Sequence, residues 1–357
     1  MVTFNFKDSS NPPLADHYVK LTTSKTNSYQ ETGLRLSRQE SKPDESEELP
    51  LIDLSGLASA DEEERAKCAS KIASASTEWG FFQVVNHGVS PKLLSQMRRE
   101  QVKLFNESFS WKSTCRLLNN SYRWGTPTAT SPEQFSWSEA FHMPLNKVSD
   151  PACYGEELSS MREVVMEYAE AMQRVAKLVA EVLITNLGQK MEAFEEQIRC
   201  DEQTCYLRMN RYPAASGSGG SPLISQERII HGLVPHTDSD FLTILHQDQV
   251  GGLHLIKDSK WVAVKPVQNA LIVNLGDLFQ AWSNDLYKSV EHRVIANPNM
   301  ERFSVAYFLC PSHDSVIGSC CNHPSVYKSF TFGEYRRKVQ EDSRIFGRKV
   351  GLSRFLR

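Results

Sequence analysis

The chain has no CxxC pair, no dense basic block, no HExxH metal motif and no run of about 18 apolar residues. Each absence removes a class of protein. Without a long apolar run no membrane-spanning helix is expected, and the opening Met1-Val2-Thr3-Phe4-Asn5-Phe6-Lys7 lacks the apolar stretch of a secretory leader. Eight scattered cysteines (Cys68, Cys115, Cys153, Cys200, Cys205, Cys310, Cys320, Cys321) in 357 residues read as a reduced inventory. The expected compartment is the cytoplasm, with the nucleus open to it. A formal charge of -3, a pI of about 6.4 and 23% charged residues give no electrostatic footprint for nucleic acid. Small molecules or proteins are the expected partners.

What the chain does have is a change of pattern along its length. Residues 1–48 are rich in Ser, Thr, Lys, Glu and Asn and show neither helical nor strand period, which predicts a flexible arm. Order is expected from Leu49-Pro50-Leu51-Ile52-Asp53-Leu54, a short strand. A helix opened by a Ser59/Glu62 capping box follows, then the β-rich run Phe81-Phe82-Gln83-Val84-Val85, closed by the turn Asn86-His87-Gly88. Ser90-Pro91 supplies an N-cap and a first-turn proline for the next helix, and Ser160 with Glu163 is expected to cap a long amphipathic helix that stops at Gly188. The aromatic segments 121–125 and 134–145 read as half-buried strands, one face of which can line a pocket.

From Cys205 onward strands follow one another at short spacing, interrupted by a Gly/Ser-rich loop at 216–221, and Thr331 with Glu334 caps a final helix. That regularity predicts an antiparallel sandwich or barrel. The expected division is an arm (1–48), an N-terminal helical and α/β region (49–200), a strand-rich core (201–315) and a C-terminal helical segment (316–357).

The stretch His231 to Leu245 reads as a strand that carries His236 and Asp238 two residues apart, on one face of an extended backbone. Two ligands need a third. His254 and His292 lie nearby, His313 and His323 further away, and the strand context of His292 late in the β-series favours it. Two neutral imidazoles and one carboxylate suit Fe(II) and leave positions open for a co-substrate and dioxygen; zinc hydrolysis is the competing chemistry. An oxygenase of this kind draws electrons from an α-keto acid, whose far carboxylate needs a cation. Arg302 and Ser304 share one face of a later strand and can provide a guanidinium and a hydroxyl. By the same parity Tyr206, Arg208, Asn210 and Tyr212 share a face.

These residues closely resemble the plant 2-oxoglutarate- and Fe(II)-dependent dioxygenases. The resemblance runs through Pro50-Leu51-Ile52-Asp53-Leu54, Trp79-Gly80-Phe81-Phe82-Gln83-Val84-Val85-Asn86-His87-Gly88, His236-Thr237-Asp238, Asn269 to Asp277, His292-Arg293-Val294 and Arg302-Phe303-Ser304. Within the family, Cys205 to Pro213, His231 to Leu245 and Ser136 to His142 look like the gibberellin oxidases, in particular the 2-oxidases acting on twenty-carbon precursors. Ala214-Ala215 departs from the Pro-Cys that relatives often carry after Pro213.

The resemblance implies an α+β chain with a mainly β core, a double-stranded β-helix (jelly roll) backed by helices, with an N-terminal α/β region. It implies Fe(II) on His236, Asp238 and His292, with 2-oxoglutarate on Arg302, Ser304 and Tyr212 and with Asn210 beside them. The implied reaction consumes dioxygen, with ascorbate in support, and couples decarboxylation of 2-oxoglutarate to 2β-hydroxylation that inactivates the hormone. The substrate would be a carboxylate-bearing diterpenoid, for which Arg208 and Arg123 are candidate cations and Tyr122 and Trp124 candidate apolar walls. The alternatives are a gibberellin 3- or 20-oxidase, a flavonoid or alkaloid hydroxylase, and, from another class, a non-catalytic binding protein on a jelly roll.

Overall fold

A computed structural model of the chain describes residues 9–26, 47–200, 202–215, 229–321 and 324–357. The Gly/Ser-rich loop at 216–221, His323 and much of the expected arm lie outside these described residues.

Among the described residues twelve strands build the centre: β1 (Leu51–Asp53), β2 (Phe81–Val85), β3 (Arg123–Trp124), β4 (Glu139–Pro144), β5 (Tyr206–Tyr212), β6 (His231–His236), β7 (Leu242–Gln247), β8 (Leu253–Lys257), β9 (Lys260–Ala263), β10 (Leu271–Leu275), β11 (His292–Ile295) and β12 (Arg302–Leu309). Eight form one sheet in the order β1-β2-β10-β7-β12-β5-β4-β3, and four form a second in the order β6-β11-β8-β9. Apart from the parallel β1–β2 pair, neighbours in both sheets run antiparallel.

The large sheet is covered on both faces, which is why β10 and β12 are buried along their whole length. Its outer face meets the helix Ser159–Asn186, whose buried stripe includes Val165, Met172, Val175, Val179 and Leu183, and this packs with Leu207, Met209, Ile244 and Val305 in one cluster. Each large apolar side chain buried there contributes about 1.5–3 kcal/mol. Between the two sheets lies a smaller cluster containing Phe81, Tyr212, Leu253, Leu255, Ile272 and Val294. The period of 2 along β5 therefore sends Leu207 and Met209 to the helices and leaves Arg208, Asn210 and Tyr212 facing the space between the sheets.

Five expectations need correction. The arm contains a helix, Leu14–Thr26, whose Leu14, Tyr18 and Leu21 are buried with Phe135, Trp137 and Ile230. Those three positions follow the helical period, but the polar residues around them mask it in the composition. The stretch His231 to Leu245 is two strands in different sheets, β6 and β7, with Asp238 in the connection between them. The first predicted helix is capped by Asp61 in place of Ser59, since the Asp61 carboxylate accepts from the Glu63 amide at 2.9 Å. The long helix begins at Ser159 without a side-chain cap, so Ser160 lies inside it. A helix at Asp277–Trp282, between β10 and β11, interrupts the run of strands that the sequence suggested.

Candidate metal centre

His236 ends β6 and His292 begins β11, and the two are cross-strand partners in the small sheet. Pairing at that register sets their ring centroids 4.3 Å apart. Asp238, two residues past the end of β6, completes the group: its Oδ1 lies 3.6 Å from His236 Nε2 and 3.8 Å from His292 Nε2. One donor atom from each residue lies within 4.8 Å of the others. His254, the competing third ligand, pairs with Arg293, while His292 pairs with Leu255, so the alternation sends His254 to the opposite face of the small sheet. His313 stacks on Phe332 in the C-terminal region.

The surroundings prepare all three groups to bind a cation. The Nδ1 atoms of His236 and His292 lie 2.8 Å from the Val234 carbonyl and 3.0 Å from the Val290 carbonyl. As donors to those carbonyls, they leave each Nε2 lone pair free. Burial pushes the His236 imidazole well below its ordinary range, which keeps it neutral. Burial acts upward on the Asp238 carboxyl, but His292, His236 and hydrogen bonds from Thr243 and Asn274 outweigh it, so the group stays ionised. The Thr243 hydroxyl and the Asn274 amide both reach Asp238 Oδ2 at 2.7 Å, so that oxygen is held and Oδ1 is turned to the histidines.

Thr243 also lies 2.8 Å from Asp240 Oδ2. Burial and the Asp238 charge push the Asp240 carboxyl well above its ordinary value, which favours its protonated form beside the hydroxyl that serves Asp238. The corner is close-packed: a Cβ on Gly276 would lie 2.1 Å from the Asp240 carbonyl oxygen, so only glycine fits. Sequence reasoning missed Thr243, Asn274 and Asp240. The polar residues at alternate positions in otherwise apolar strands, Thr243 in β7 and Asn274 in β10, were the available signal.

On the inner face of β12 is a buried cation. Arg302 is 1% exposed, and its Nη2 donates to Gln247 Oε1 at 2.7 Å while its guanidinium sits 4.9 Å from the centre of the Tyr212 ring. The register aligns Arg302 with Tyr212 and Ser304 with Asn210, so all four side chains share the inner face. Asn210 is tied into the group, its amide donating to Ser304 Oγ at 3.4 Å and its oxygen accepting from Arg208 Nε at 2.7 Å. Among the described residues Arg302 has no carboxylate partner, and its Nε is unpartnered. A buried guanidinium in that condition calls for an anionic ligand.

The four candidate substrate residues divide by parity. Arg208 is paired with His142 of β4 and faces inward, and Arg123 of β3 is paired with Ala140 on that same face. Tyr122 and Trp124 alternate with Arg123, so the expectation that all three line one pocket fails. Tyr122 packs on Phe141 in the helix-side core and donates to Glu139 at 2.5 Å, and Trp124 packs edge-on against Phe109 and His17. Two inner-face residues escaped the sequence reading. His142 stacks on Tyr206, which stacks on Phe308. Burial, followed by the positive charges of Arg208, Arg123 and Arg336, lowers His142 to about 3, so it is neutral.

A metal-ready triad on one of two facing sheets and a buried arginine without a counter-ion on the inner face of the other are what an Fe(II)- and 2-oxoglutarate-dependent oxygenase requires. Residues 203–311 match the 2OG-Fe(II) oxygenase superfamily, and residues 49–164 match the N-terminal region of the non-haem dioxygenases typified in morphine synthesis. The chain belongs to the 2OG-Fe(II) oxygenase family and is an Fe(II)/2-oxoglutarate-dependent dioxygenase. It is 55% identical over 315 residues to gibberellin 2-beta-dioxygenase 6 of Oryza sativa subsp. japonica, covering 87% of this chain and 85% of that protein. With gibberellin 2-beta-dioxygenase 8 of Arabidopsis thaliana it shares 54% identity over 310 residues, 87% of each chain. A crystal structure of JOX2 in complex with 2OG, Fe and JA superposes with a TM-score of 0.72 at 32% identity, over 98% of this chain and 99% of that one.

Proposed function

We propose that this enzyme 2β-hydroxylates gibberellins, with twenty-carbon gibberellins as its substrates, and so inactivates them. Two relatives bearing the 2-beta-dioxygenase name at more than half identity support the reaction. The observation that carries the substrate class is Arg208 on the inner face, cross-strand partner of His142, with Arg123 paired on the same face. Neither guanidinium has a carboxylate within ion-pair distance among the described residues. An acidic, largely apolar molecule supplies the missing charge, and the Tyr206 and Phe308 rings offer it an apolar floor.

In this reading His236, Asp238 and His292 hold the iron, which when bound supplies oxygen activation. Arg302 and Ser304 take the far carboxylate of 2-oxoglutarate, with Tyr212 packed against the guanidinium and Asn210 fixing the Ser304 hydroxyl. Arg302→Met is expected to raise the KM for 2-oxoglutarate about 30-fold or more, since it strips a buried carboxylate of its partner. An unchanged KM in a succinate-release assay would remove Arg302 from this role. Arg208→Gln is expected to raise the KM for gibberellin about 10- to 100-fold while the KM for 2-oxoglutarate moves little. Equal shifts in both constants would place Arg208 with the co-substrate instead.

The deciding experiment is mass spectrometry of products after incubation with Fe(II), ascorbate, 2-oxoglutarate and a panel of nineteen- and twenty-carbon gibberellins. A 2β-hydroxylated twenty-carbon product is expected. Hydroxylation at another carbon, or an acidic panel left untouched while 2-oxoglutarate is consumed, overturns the substrate assignment. A cytoplasmic setting belongs to the same proposal, supported by eight free cysteines; a fluorescent fusion excluded from the cytoplasm would contradict it.

A further inference from the structure

A second polar group ties the C-terminal segment to the backbone that carries the metal ligands. Its centre is Asp277, 3% exposed at the start of the helix Asp277–Trp282. The Asp277 amide donates to the carbonyl of Asp238 at 3.0 Å. Its carboxylate accepts from Ser289 at 2.6 Å and from Thr237 at 3.3 Å, and also from the Tyr335 hydroxyl. Thr237 stands between His236 and Asp238, and Ser289 stands three residues before His292. One carboxylate therefore joins both segments that carry the ligands.

Lys349, beyond the C-terminal helix Phe332–Phe346, reaches the same carboxylate. Its Nζ lies 2.7 Å from Asp277 Oδ2, 2.9 Å from the Thr237 carbonyl oxygen and 2.8 Å from Ser239 Oγ. An ammonium has three donors, and here each has a partner. Two of the three are on the loop that presents Asp238. Buried beside the loop, the Lys349 side chain is 13% exposed, so solvent screens these bonds little.

We infer that Asp277 and Lys349 are a positioning pair, which holds the two ligand-bearing segments of the metal centre in register and makes the C-terminal segment a determinant of metal affinity. Neither side chain touches the ligand atoms of the triad; the pair acts through Thr237, Ser239 and Ser289, and through the bond of the Asp277 amide to the Asp238 carbonyl. Groups that orient metal ligands at one remove are commonly worth about 10- to 100-fold in metal affinity. The inference rests on the triad alone and is independent of which substrate the enzyme takes.

The test is calorimetric titration of the full-length, metal-stripped protein with Mn(II), a stand-in for Fe(II) that does not oxidise in air, together with the melting temperature of each variant. Lys349→Met is expected to weaken Mn(II) binding about 10- to 100-fold. Lys349→Arg, which keeps the charge against Asp277, is expected to restore much of it. Arg354→Met is the control: it cuts the Arg354–Asp342 pair, 2.5 Å apart, in the same C-terminal region without touching the metal loop. It should leave Mn(II) affinity unchanged. Unaltered affinity in Lys349→Met overturns the inference, and so does an equal loss in Arg354→Met, which would mean general loosening. If Lys349→Met does not fold, Ser289→Ala removes only the bond from Asp277 to the segment before His292. A several-fold loss of affinity supports the pair, and none refutes it.

Discussion

Protein carrying His236→Ala or Asp238→Ala is expected to release no succinate from 2-oxoglutarate above a metal-free blank, and to retain no iron after desalting. The two substitutions act by different routes. His236→Ala removes a nitrogen whose lone pair is freed by the contact of its Nδ1 with the Val234 carbonyl. Asp238→Ala removes the one anionic ligand and also leaves the Thr243 hydroxyl and the Asn274 amide without their shared acceptor in a buried site. Asp238→Asn keeps the shape but lacks the charge, and it should also fail to hold iron. Iron content and succinate release distinguish loss of the metal from loss of the fold, provided that circular dichroism shows the variants folded. Succinate release at the wild-type rate from either alanine variant would sink the metal assignment.

The second large effect lies on the other side of the large sheet and concerns stability alone. Glu139 of β4 is 1% exposed and bonds Lys112 at 2.7 Å, Arg211 at 2.8 Å and Tyr122 at 2.5 Å. Lys112 is itself 0% exposed and fills its remaining donors with the Ser10 and Phe105 carbonyls at 2.7 and 2.8 Å. Burial lowers the affinity of Lys112 for its proton, and the Glu139 charge opposes that. Glu139→Ala leaves Lys112 buried without an anion, while Arg211 keeps Glu301 at 2.9 Å. A loss of about 3–5 kcal/mol in unfolding free energy is expected by chemical denaturation, with Glu139→Gln costing less because it still offers an acceptor. A change under about 0.5 kcal/mol, the size of an ordinary surface substitution, would show that the cluster rearranges without cost.

Local periods made much of this molecule readable. Alternation in Arg302-Phe303-Ser304 and in Tyr206 to Tyr212 placed the right side chains together, because a strand sends every second residue to one face whatever its partners are. The two-residue spacing of His236 and Asp238 pointed to the right ligands for a partly wrong reason: the chain leaves β6 at His236, and Asp238 is presented by a turn. What the sequence hid was mostly the product of long-range docking. Gln247, Asn274, Asp277 and Lys349 look like ordinary polar residues until the sheets bring them to Arg302, Asp238 and Thr237. Tyr122 and Trp124 were misplaced for a local reason, since β3 is only two residues long and gives too little alternation to read a face from. The early helix was missed because three apolar positions among polar neighbours carry little compositional weight.

That early helix has a practical meaning for anyone handling the enzyme. Its Leu14, Tyr18 and Leu21 cover Phe135, Trp137 and Ile230, and the Trp137 amide donates to the carbonyl of His231, the first residue of the strand that ends in His236. A shortened chain begun at the obvious ordered boundary, Leu49, would be trimmed of what looks like a dispensable leader and would bare an aromatic patch on the back of a metal-bearing strand. Poor solubility or weak turnover in such a preparation would belong to the trimming and would say nothing about the native catalyst.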